Sequence, residues 1–382
     1  MKFTCKTNNL KEAIGKVERI VSKQTTLPIL ANILIKTENG RLIIGATNLE
    51  IAIRSYVGAK IEKEGEITVP SRILSGFLLS IKDDIIDCEL NGTELSVNSE
   101  NHKIKIKGME AKDFPIIPQI PTEHFLRINS SNFNKAIPGL LVSVAHNDIR
   151  QELNGILIKF SLEEIVFAST DSFRLSEARI KLPKEAISGD YEVFINNTPS
   201  IIIPSLTFSE LQRIISGGDF ELIISQNQLF IKNESVNLIS RLISGNYPEY
   251  NQVLPEKYEI EVKINKGEFL NALKIASLVA SNNNGEVRIS NSKSNKGLKI
   301  SAESVDSGEN VSRIEAEISG PEFEVIFNCR YLLEGLNVVE TETENVLLKL
   351  NPTKSPVIIK GLNLKNEEKE GFSYVIMPII KG

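Results

Sequence analysis

A few histidine, acidic and hydroxyl side chains are the residues of this 382-residue chain that could do chemistry. His146 and Asp148 in "HND" have the types used in acid–base catalysis, and "TDS" at Thr170 to Ser172 sets hydroxyls beside a carboxylate. No GxSxG elbow, phosphate-binding glycine loop or HExxH zinc motif accompanies them. Asp83 and Asp84 follow a predicted helix, where a solvated turn is a simpler reading than a metal site. These patterns do not favour an enzyme.

Cysteine spacing and composition limit the setting. Cys5, Cys88 and Cys329 lie far apart with no CxxC or metal-ligand spacing, which favours a reduced cytoplasm. No apolar run approaches the ~18 residues of a membrane span, and the N-terminus lacks a signal-peptide pattern. The net charge of −5 argues against nucleic-acid binding over the whole surface but allows one basic face. We expect a cytoplasmic protein with no cofactor, metal or membrane partner.

The chain repeats itself. Leu34-Ile35-Lys36 recurs as Leu157-Ile158-Lys159, and Thr47-Asn48 recurs as Thr170-Asp171, both 123 residues further on. A third copy of the helix start is "NKGEFLNAL", at Asn265 to Leu273. Several matches at one shift indicate duplicated domains.

Proline-containing segments, "DFPIIPQIP" and "NYPEYNQVLP", end the first two repeats. The same alignment puts Met377-Pro378 of the closing "YVIMPII" in the place of Phe114-Pro115 and Tyr247-Pro248. We predict three domains, at 1–122, 123–256 and 257–382.

Periodicity within a repeat predicts helices and hairpins. Leu10, Ile14 and Val17 form one apolar helical stripe, with Asn9 as the predicted N-cap. "VPSRILSGFLLSI" predicts a second helix capped by Ser71, and glycine turns in "TENGRL" and "ELNGTEL" predict hairpins. "KLPKEAISGDYEVFINNTP" reads as a loop inserted in the second repeat. The predicted fold class is α+β, three repeats with two amphipathic helices against antiparallel sheets in each.

Basic residues recur on the predicted helices. Lys and Arg attract phosphate without reading sequence, so these helices are candidates for a nucleic-acid face, although solvated helix surfaces carry the same residues. The residues are Lys11, Lys16, Arg19, Lys23, Arg72, Lys135, Arg213 and Lys274.

An ordered set of motifs resembles one family. "MKFTCKTNNL", "TTLPILANILI", "DFPIIP", "STDSFRL", "NYPEYNQVLP" and "YVIMPII" are similar to segments of the bacterial DNA polymerase III beta subunit, the sliding clamp, in the same order along the whole chain. The resemblance implies a head-to-tail homodimer that closes into a ring of six clamp domains around duplex DNA. It implies a non-catalytic processivity factor.

The resemblance also implies DNA contacts. The matching positions are Gln24, Arg72, His146, Asn147 and Gln151. Gln24 stands where many relatives have Arg, Gln151-Glu152 where a tyrosine pair can occur, and Ser205-Leu206 where some relatives are basic. We expect weaker direct DNA affinity than in more basic clamps.

A partner-binding cleft is implied between the second and third domains. It would take short peptides from the DNA polymerase III alpha subunit, the clamp loader, other polymerases and repair proteins. An apolar pocket containing Met, with Thr170 and Arg174 at its rim, suits varied partners, although such residues also form ordinary cores. The matching residues are Arg150, Leu153, Thr170, Phe173, Arg174, Leu175, Pro248, Val253, Tyr331, Val375, Ile376, Met377 and Pro378.

The implied dimer interface joins "HKIKIKG" of the first domain to a helix of the third. Ile104 and Ile106 would meet Leu278 and Val279. The alternating lysines of that strand are also consistent with charges that block an edge in a monomer. A repeat-domain scaffold that does not bind nucleic acid is the alternative function.

Overall fold

A computed structural model describes residues 1–21, 27–122, 125–146, 148–182, 191–215, 217–280, 285–292, 295–339, 344–352 and 355–380. Three successive runs of elements follow one order: a strand, a helix, several strands, a second helix and three closing strands. The first run is β1 (Lys2–Lys6), α1 (Thr7–Val17), β2 (Asn32–Glu38), β3 (Arg41–Thr47), β4 (Ile51–Val57), β5 (Ala59–Lys63), β6 (Gly65–Pro70), α2 (Ser71–Ser80), β7 (Ile85–Asn91), β8 (Glu94–Asn98) and β9 (Lys103–Lys107).

The second and third runs repeat this order, except that the second has helix α4 at the place where the first and third have the strands β5 and β22. The second is β10 (Phe125–Asn129), α3 (Ser130–Leu141), β11 (Gly155–Phe160), β12 (Glu164–Thr170), β13 (Arg174–Lys181), α4 (Tyr191–Asn197), β14 (Ser200–Pro204), α5 (Ser205–Ile214), β15 (Asp219–Ser225), β16 (Gln228–Lys232) and β17 (Val236–Arg241). The third is β18 (Ile260–Asn265), α6 (Lys266–Ala280), β19 (Glu286–Ser292), β20 (Asn295–Ser304), β21 (Gly308–Ile314), β22 (Ala316–Ser319), β23 (Glu324–Asn328), α7 (Cys329–Val338), β24 (Asn345–Leu350), β25 (Val357–Gly361) and β26 (Phe372–Ile376).

The chain forms two compact units. One contains a five-stranded sheet, β5-β1-β7-β8-β9, and an eight-stranded sheet, β10-β15-β16-β17-β4-β3-β2-β6. The other contains a nine-stranded sheet, β14-β11-β12-β13-β26-β25-β24-β18-β22, and a four-stranded sheet, β21-β20-β19-β23. All of their strand pairs are antiparallel, so the predicted α+β class and the hairpins are confirmed. No helix within the described ranges is long and apolar enough to cross a membrane.

Both predicted helix caps are wrong by a small offset. α1 begins at Thr7, two residues before Asn9, and α2 begins at Ser71 itself. The preceding residues, Lys6 and Pro70, make no side-chain capping hydrogen bond. The strand instead runs directly into the helix, and the Thr7 N–H donates to a backbone carbonyl of a neighbouring turn at 2.8 Å.

The predicted loop in the second repeat contains helix α4 (Tyr191–Asn197), while residues 183–190 lie outside the described ranges. Tyr191 and Phe194 are 0% and 4% exposed, and their rings stack at 6.4 Å. Burial of two aromatic side chains on one helical face stabilises this helix. The turn-forming residues on either side made the segment resemble a loop in the sequence.

The alignment of the closing segment is also wrong. Strand registers make Leu95–Ile106, Leu229–Ser240 and Val357–Ile376 the equivalent pairs of the three closing hairpins. Met377-Pro378 therefore corresponds to residues 107–108 and 241–242, not to the proline segments, which come later in each of the first two repeats. The Ile379 N–H donates to the Ile326 carbonyl at 2.8 Å, which ties this end to β23. Lys381 and Gly382 lie outside the described residues.

Candidate partner-binding groove

One unit carries a groove of about 230 Å³ beside the pairing of β13 with β26. Leu175 lies opposite Val375 in this pairing, and both belong to a buried apolar cluster with Tyr250. The lining residues are Arg150, Leu153, Thr170, Ser172, Arg174, Leu175, Pro248, Glu249, Tyr250, Val253, Leu254, Pro356, Val375 and Met377. Most of the predicted cleft residues are thus brought together.

The turn between β12 and β13 is fixed by its own side chains. Asp171 Oδ1 accepts hydrogen bonds from the N–H groups of Phe173 and Arg174, both at 3.0 Å. Thr170 Oγ1 accepts from the Ser172 N–H at 3.1 Å and donates to the Arg174 carbonyl at 2.7 Å. Ser172 has a left-handed backbone with φ of 75°. These bonds offset the cost of that conformation and hold the groove's edge.

The first repeat contains the same turn. Thr47 Oγ1 accepts from the Leu49 N–H at 3.0 Å and donates to the Ile51 carbonyl at 2.9 Å. Asn48 Oδ1 accepts from the Ile51 N–H at 2.8 Å, and Leu49 has φ of 76°. The sequence match of Thr-Asn to Thr-Asp therefore reflects one backbone turn used twice.

Tyr250 of "NYPEYNQVLP" lines one wall of the groove, and Tyr247 packs against the same apolar cluster. Tyr247 Oη accepts from the Thr170 N–H at 3.0 Å, and Tyr250 donates from its hydroxyl to Glu177 at 2.7 Å. Burial raises the pKa of both phenols, so both remain protonated at neutral pH. The Tyr250 ring closes one side of the groove, while Val253, 53% exposed, stays open to a ligand.

Arg174 is a structural anchor rather than a free rim charge. It is 8% exposed, pairs with Asp171 at 2.9 Å and with Glu334, and lies 4.3 Å above the Tyr331 ring. Burial is the largest single effect and acts to lower its pKa, but the interactions with Glu334, Tyr374 and Asp171 together outweigh it and raise the pKa. Arg150 at the rim is exposed, pairs with Asp148 at 3.4 Å and donates to Ser172 Oγ at 2.9 Å.

Four predicted cleft residues lie outside the lining. Ile376 is 0% exposed in the core of the third repeat, so its predicted place in the cleft is wrong: alternation along β26 turns Val375 to the groove and Ile376 away. Phe173, 60% exposed, and Tyr331 form an aromatic shelf with centroids 6.5 Å apart. Pro378 follows Met377, whose N–H donates to the Phe173 carbonyl at 2.8 Å.

Sequence reasoning missed Ser172, Glu249, Tyr250, Leu254 and Pro356. The spacing of Tyr247 and Tyr250 in the proline segment is the one signal that predicts part of this wall. Pro356 comes from a distant hairpin and has no such signal.

The predicted DNA contacts are only partly described. Gln24, Asn147 and Lys23 lie outside the described residues, as does the side chain of Lys135. Among the predicted DNA contacts and the basic residues of the helices, the exposed ones are Arg19, Arg72, His146, Gln151 and Lys274.

Three other basic residues are engaged within the protein. Lys11 Nζ donates to the Ile81 carbonyl at 2.9 Å, beyond the end of α2, and Lys16 Nζ to Ser235 Oγ at 3.4 Å. Arg213 donates to the carbonyls of Gly15 and Lys16 in the last turn of α1, the latter at 2.6 Å. It also pairs with a glutamate of its own helix, Glu210, at 2.6 Å. Arg213 therefore caps a helix.

Replacing Arg213 with Met is expected to lower the free energy of unfolding by about 2 kcal/mol, because two helix-end carbonyls and the buried Glu210 carboxylate lose their donor. Urea unfolding measures the change. Arg241→Met removes an exposed arginine as the matched control and should cost less than about 0.5 kcal/mol. Equal losses in the two variants would contradict the capping role.

The predicted interface residues differ in exposure. Leu278 is 75% exposed, and Val279 and Ile104 are partly buried. Ile106 is 2% exposed, so its side chain lies in the interior of the single chain. A side-chain contact from Ile106 to another copy is therefore excluded, and only its backbone at the β9 edge is available.

Comparisons with known proteins define the class. The DNA polymerase III beta subunit N-terminal, central and C-terminal domains match residues 1–118, 127–249 and 251–380. The beta sliding clamp of Synechococcus elongatus is 28% identical over 386 residues, covering 99% of each chain. The structure of a DNA polymerase sliding clamp from Bacillus subtilis is 25% identical with a TM-score of 0.89, and a Pseudomonas aeruginosa clamp bound to griselimycin is 25% identical with 0.88, both over 100% of each chain.

The three matched domains follow one another in the N-terminal, central and C-terminal order of a sliding clamp. The chain belongs to the DNA polymerase III beta subunit family. The alternative of a scaffold unrelated to nucleic acid finds no support in these matches.

Proposed function

We propose that two copies of this chain close head to tail into a ring that encircles duplex DNA without reading its sequence. In this proposal the chain is a non-catalytic processivity factor in the cytoplasm, with domains at 1–122, 123–256 and 257–382. The groove holds peptides of the DNA polymerase III alpha subunit, the clamp loader, and other polymerases and repair proteins. The observation that carries the ring is a pair of unfilled strand edges.

The strand order of the sheets supports pairing of β9 in one copy with β21 in the other. β17, the last strand of the second repeat, pairs with β4, and β26, the last of the third, pairs with β13. β9 is the last strand of the first repeat, and β21 is the counterpart of β4 and β13. Each is an edge of its sheet among the described strands. Pairing β9 of one copy with β21 of the other extends the same rule between chains and fills both edges.

Exposed apolar side chains on two helices support the same joint. Ile73 and Leu79 on α2 are 49% and 73% exposed, and Ile275 and Leu278 on α6 are 42% and 75% exposed. Leu79 corresponds to Arg213 of α5, which contacts α1, and α6 is the counterpart of α1 in the third repeat. By this correspondence, Leu79 of one copy packs on α6 of the other.

The β4–β17 and β13–β26 pairings within the chain also give a register for the proposed β9–β21 pairing between chains. In this register Lys105 lies opposite Glu309 and Ile104 opposite Asn310. The internal pairs from which it derives are Ala52–Ile239 and Leu175–Val375. Opposite charges across a strand pair favour this register.

The groove suits the proposed peptides. Its walls combine Leu153, Leu175 and Val375 with the flexible thioether of Met377, and such walls adapt to different apolar side chains. Arg150 and Glu249 offer one charge of each sign at the lining. A related clamp holds a ligand, griselimycin, which is consistent with a binding surface in this family.

Binding to short linear duplex is expected to be weak and to fall steeply with salt, because only scattered exposed cations such as Arg19, Arg72 and Lys274 face solvent on the helices. Fluorescence anisotropy across a salt titration measures this. Arg72→Glu should weaken binding about tenfold, whereas the control Arg241→Glu should not. Tight, salt-insensitive binding to open linear DNA would contradict retention by encirclement.

A further inference from the structure

The unit that contains the eight-stranded sheet carries a second groove, of about 920 Å³, where β4 and β17 join. It is distinct from the partner groove of the other unit. Its lining includes Arg41, Arg54, Tyr56, Phe125, Lys232 and Asn237. It combines aromatic rings with guanidinium groups, and this combination is suited to binding a ligand.

Two arginines in this groove make no ion pair with a carboxylate of the described chain. Arg54 is half-buried, and one of its Nη atoms donates to the Ile117 carbonyl. Burial lowers the pKa of Arg54, which reflects the cost of keeping this cation away from water. Arg41 is exposed on the neighbouring strand. Tyr56 also hydrogen-bonds the Arg54 side chain, and Glu38 acts on it through space. A guanidinium has five N–H donors, so Arg54 retains donors for an anion.

The corresponding place in the other unit is already filled. Strand registers make Glu177 the counterpart of Arg54, and the proline segments make Tyr250 the counterpart of Ile117. There the Tyr250 hydroxyl donates to Glu177 at 2.7 Å, so ring and carboxylate satisfy each other. Beside the β4–β17 pairing, Ile117 stands in place of the Tyr250 phenol, and the positive Arg54 stands in place of the negative Glu177. The chain thus leaves both a space and a positive charge where its own repeat supplies a ring and a carboxylate.

The remaining charges around the groove are balanced. Glu221 pairs with Lys232 and with Arg127, both at 3.2 Å, and Glu38 pairs with Lys36 at 3.2 Å. Arg127 also lies 5.6 Å from the Phe125 ring. The two arginines without carboxylate partners therefore set the groove's net preference for an anion. The carboxylates Glu38 and Glu221 disfavour a polyanion such as a nucleic-acid backbone.

We propose that this groove binds an acidic peptide segment of a protein partner, with an Asp or Glu carboxylate on Arg54 and Arg41 and an adjacent apolar side chain against Tyr56 and Phe125. The groove is too large for a single ion, and its rings favour a ligand that pairs a carboxylate with an apolar group. The site is a second docking surface, beyond the proposed role of the other groove.

The test uses the full chain carrying Met377→Asp, so that the other groove is disabled. The probes are fluorescein-labelled heptapeptides in which Asp or Glu alternates with Leu or Phe, and matched peptides with Asn or Gln at the acidic positions. Fluorescence polarisation reports binding. The acidic set is expected to bind about tenfold more tightly than the amide set, because each carboxylate–guanidinium contact adds a charge-assisted bond.

Arg54→Glu and Arg41→Glu should each remove that preference for the acidic set. Arg41 is exposed, so its variant keeps the fold even if the Arg54 change disturbs the segment around Ile117. Lys263→Glu, a charge reversal of a residue outside this groove, is the control and should leave binding unchanged. Equal binding of acidic and amide peptides, or unchanged binding by the Arg41→Glu protein, would overturn the proposal.

Discussion

A Met377→Asp variant is expected to bind a polymerase-derived peptide at least about 100-fold more weakly than the unmodified chain while remaining a dimer. Met377 lines the groove beside Val375 and Leu175, and a carboxylate there would lose its water when a peptide's apolar side chain enters. Fluorescence polarisation with a labelled peptide measures the affinity, and sedimentation measures the assembly.

Leu364→Asp is the matched control for this change. Leu364 is 96% exposed and lies outside the groove lining, so the same gain of charge should leave peptide affinity within about twofold. Unchanged affinity in the Met377→Asp protein would remove the groove assignment. A loss of affinity in both variants would instead indicate a nonspecific effect of charge.

Leu278→Asp is expected to raise the dimer dissociation constant by at least about 100-fold. Leu278 is 75% exposed in the single chain, so the substitution costs the fold little, but the proposed joint would bury the new carboxylate without a partner. Leu79→Asp should act in the same way from the other side. Mass measurement at graded dilution reports the monomer fraction, with Leu162→Asp, 50% exposed on a hairpin turn, as the control.

The proposed register adds a sharper check of the same joint. Lys105→Glu and Glu309→Lys should each weaken the dimer, and the double variant should recover most of the loss, because the two charges exchange places across the strands. Failure of the double variant to recover would contradict the register. A chain that remains a monomer at all micromolar concentrations without any substitution would contradict the ring itself.

Repeated motifs in the sequence allowed much of the fold to be predicted. Thr47-Asn48 and Thr170-Asp171 recur because one hydrogen-bonded turn is used twice, and such a turn needs the same residue types wherever it occurs. An apolar stripe likewise predicted α1, because one buried helical face requires that spacing. The groove's Leu175 and Val375 could be predicted from the family resemblance.

Side-chain partners distant in sequence could not be predicted. Arg213 reads as one more basic residue on a helix, and its bonds to Gly15 and Lys16 depend on contacts across nearly 200 residues. Ile376 and Val375 are equally apolar, and only the pleat of β26 decides which one faces the groove. Proline in "YVIMPII" suggested the wrong correspondence because a dipeptide match says nothing about strand register.

We expect topology, and not affinity, to keep the protein on DNA. The direct measurement loads the chain onto closed circular duplex with a clamp loader, removes free protein, and follows the bound fraction by gel filtration before and after the circle is cut once. We expect the protein to stay on the intact circle through a high-salt wash and to be released within minutes of linearisation. Loss from the intact circle in salt, or retention on the cut DNA with free ends, would contradict this expectation.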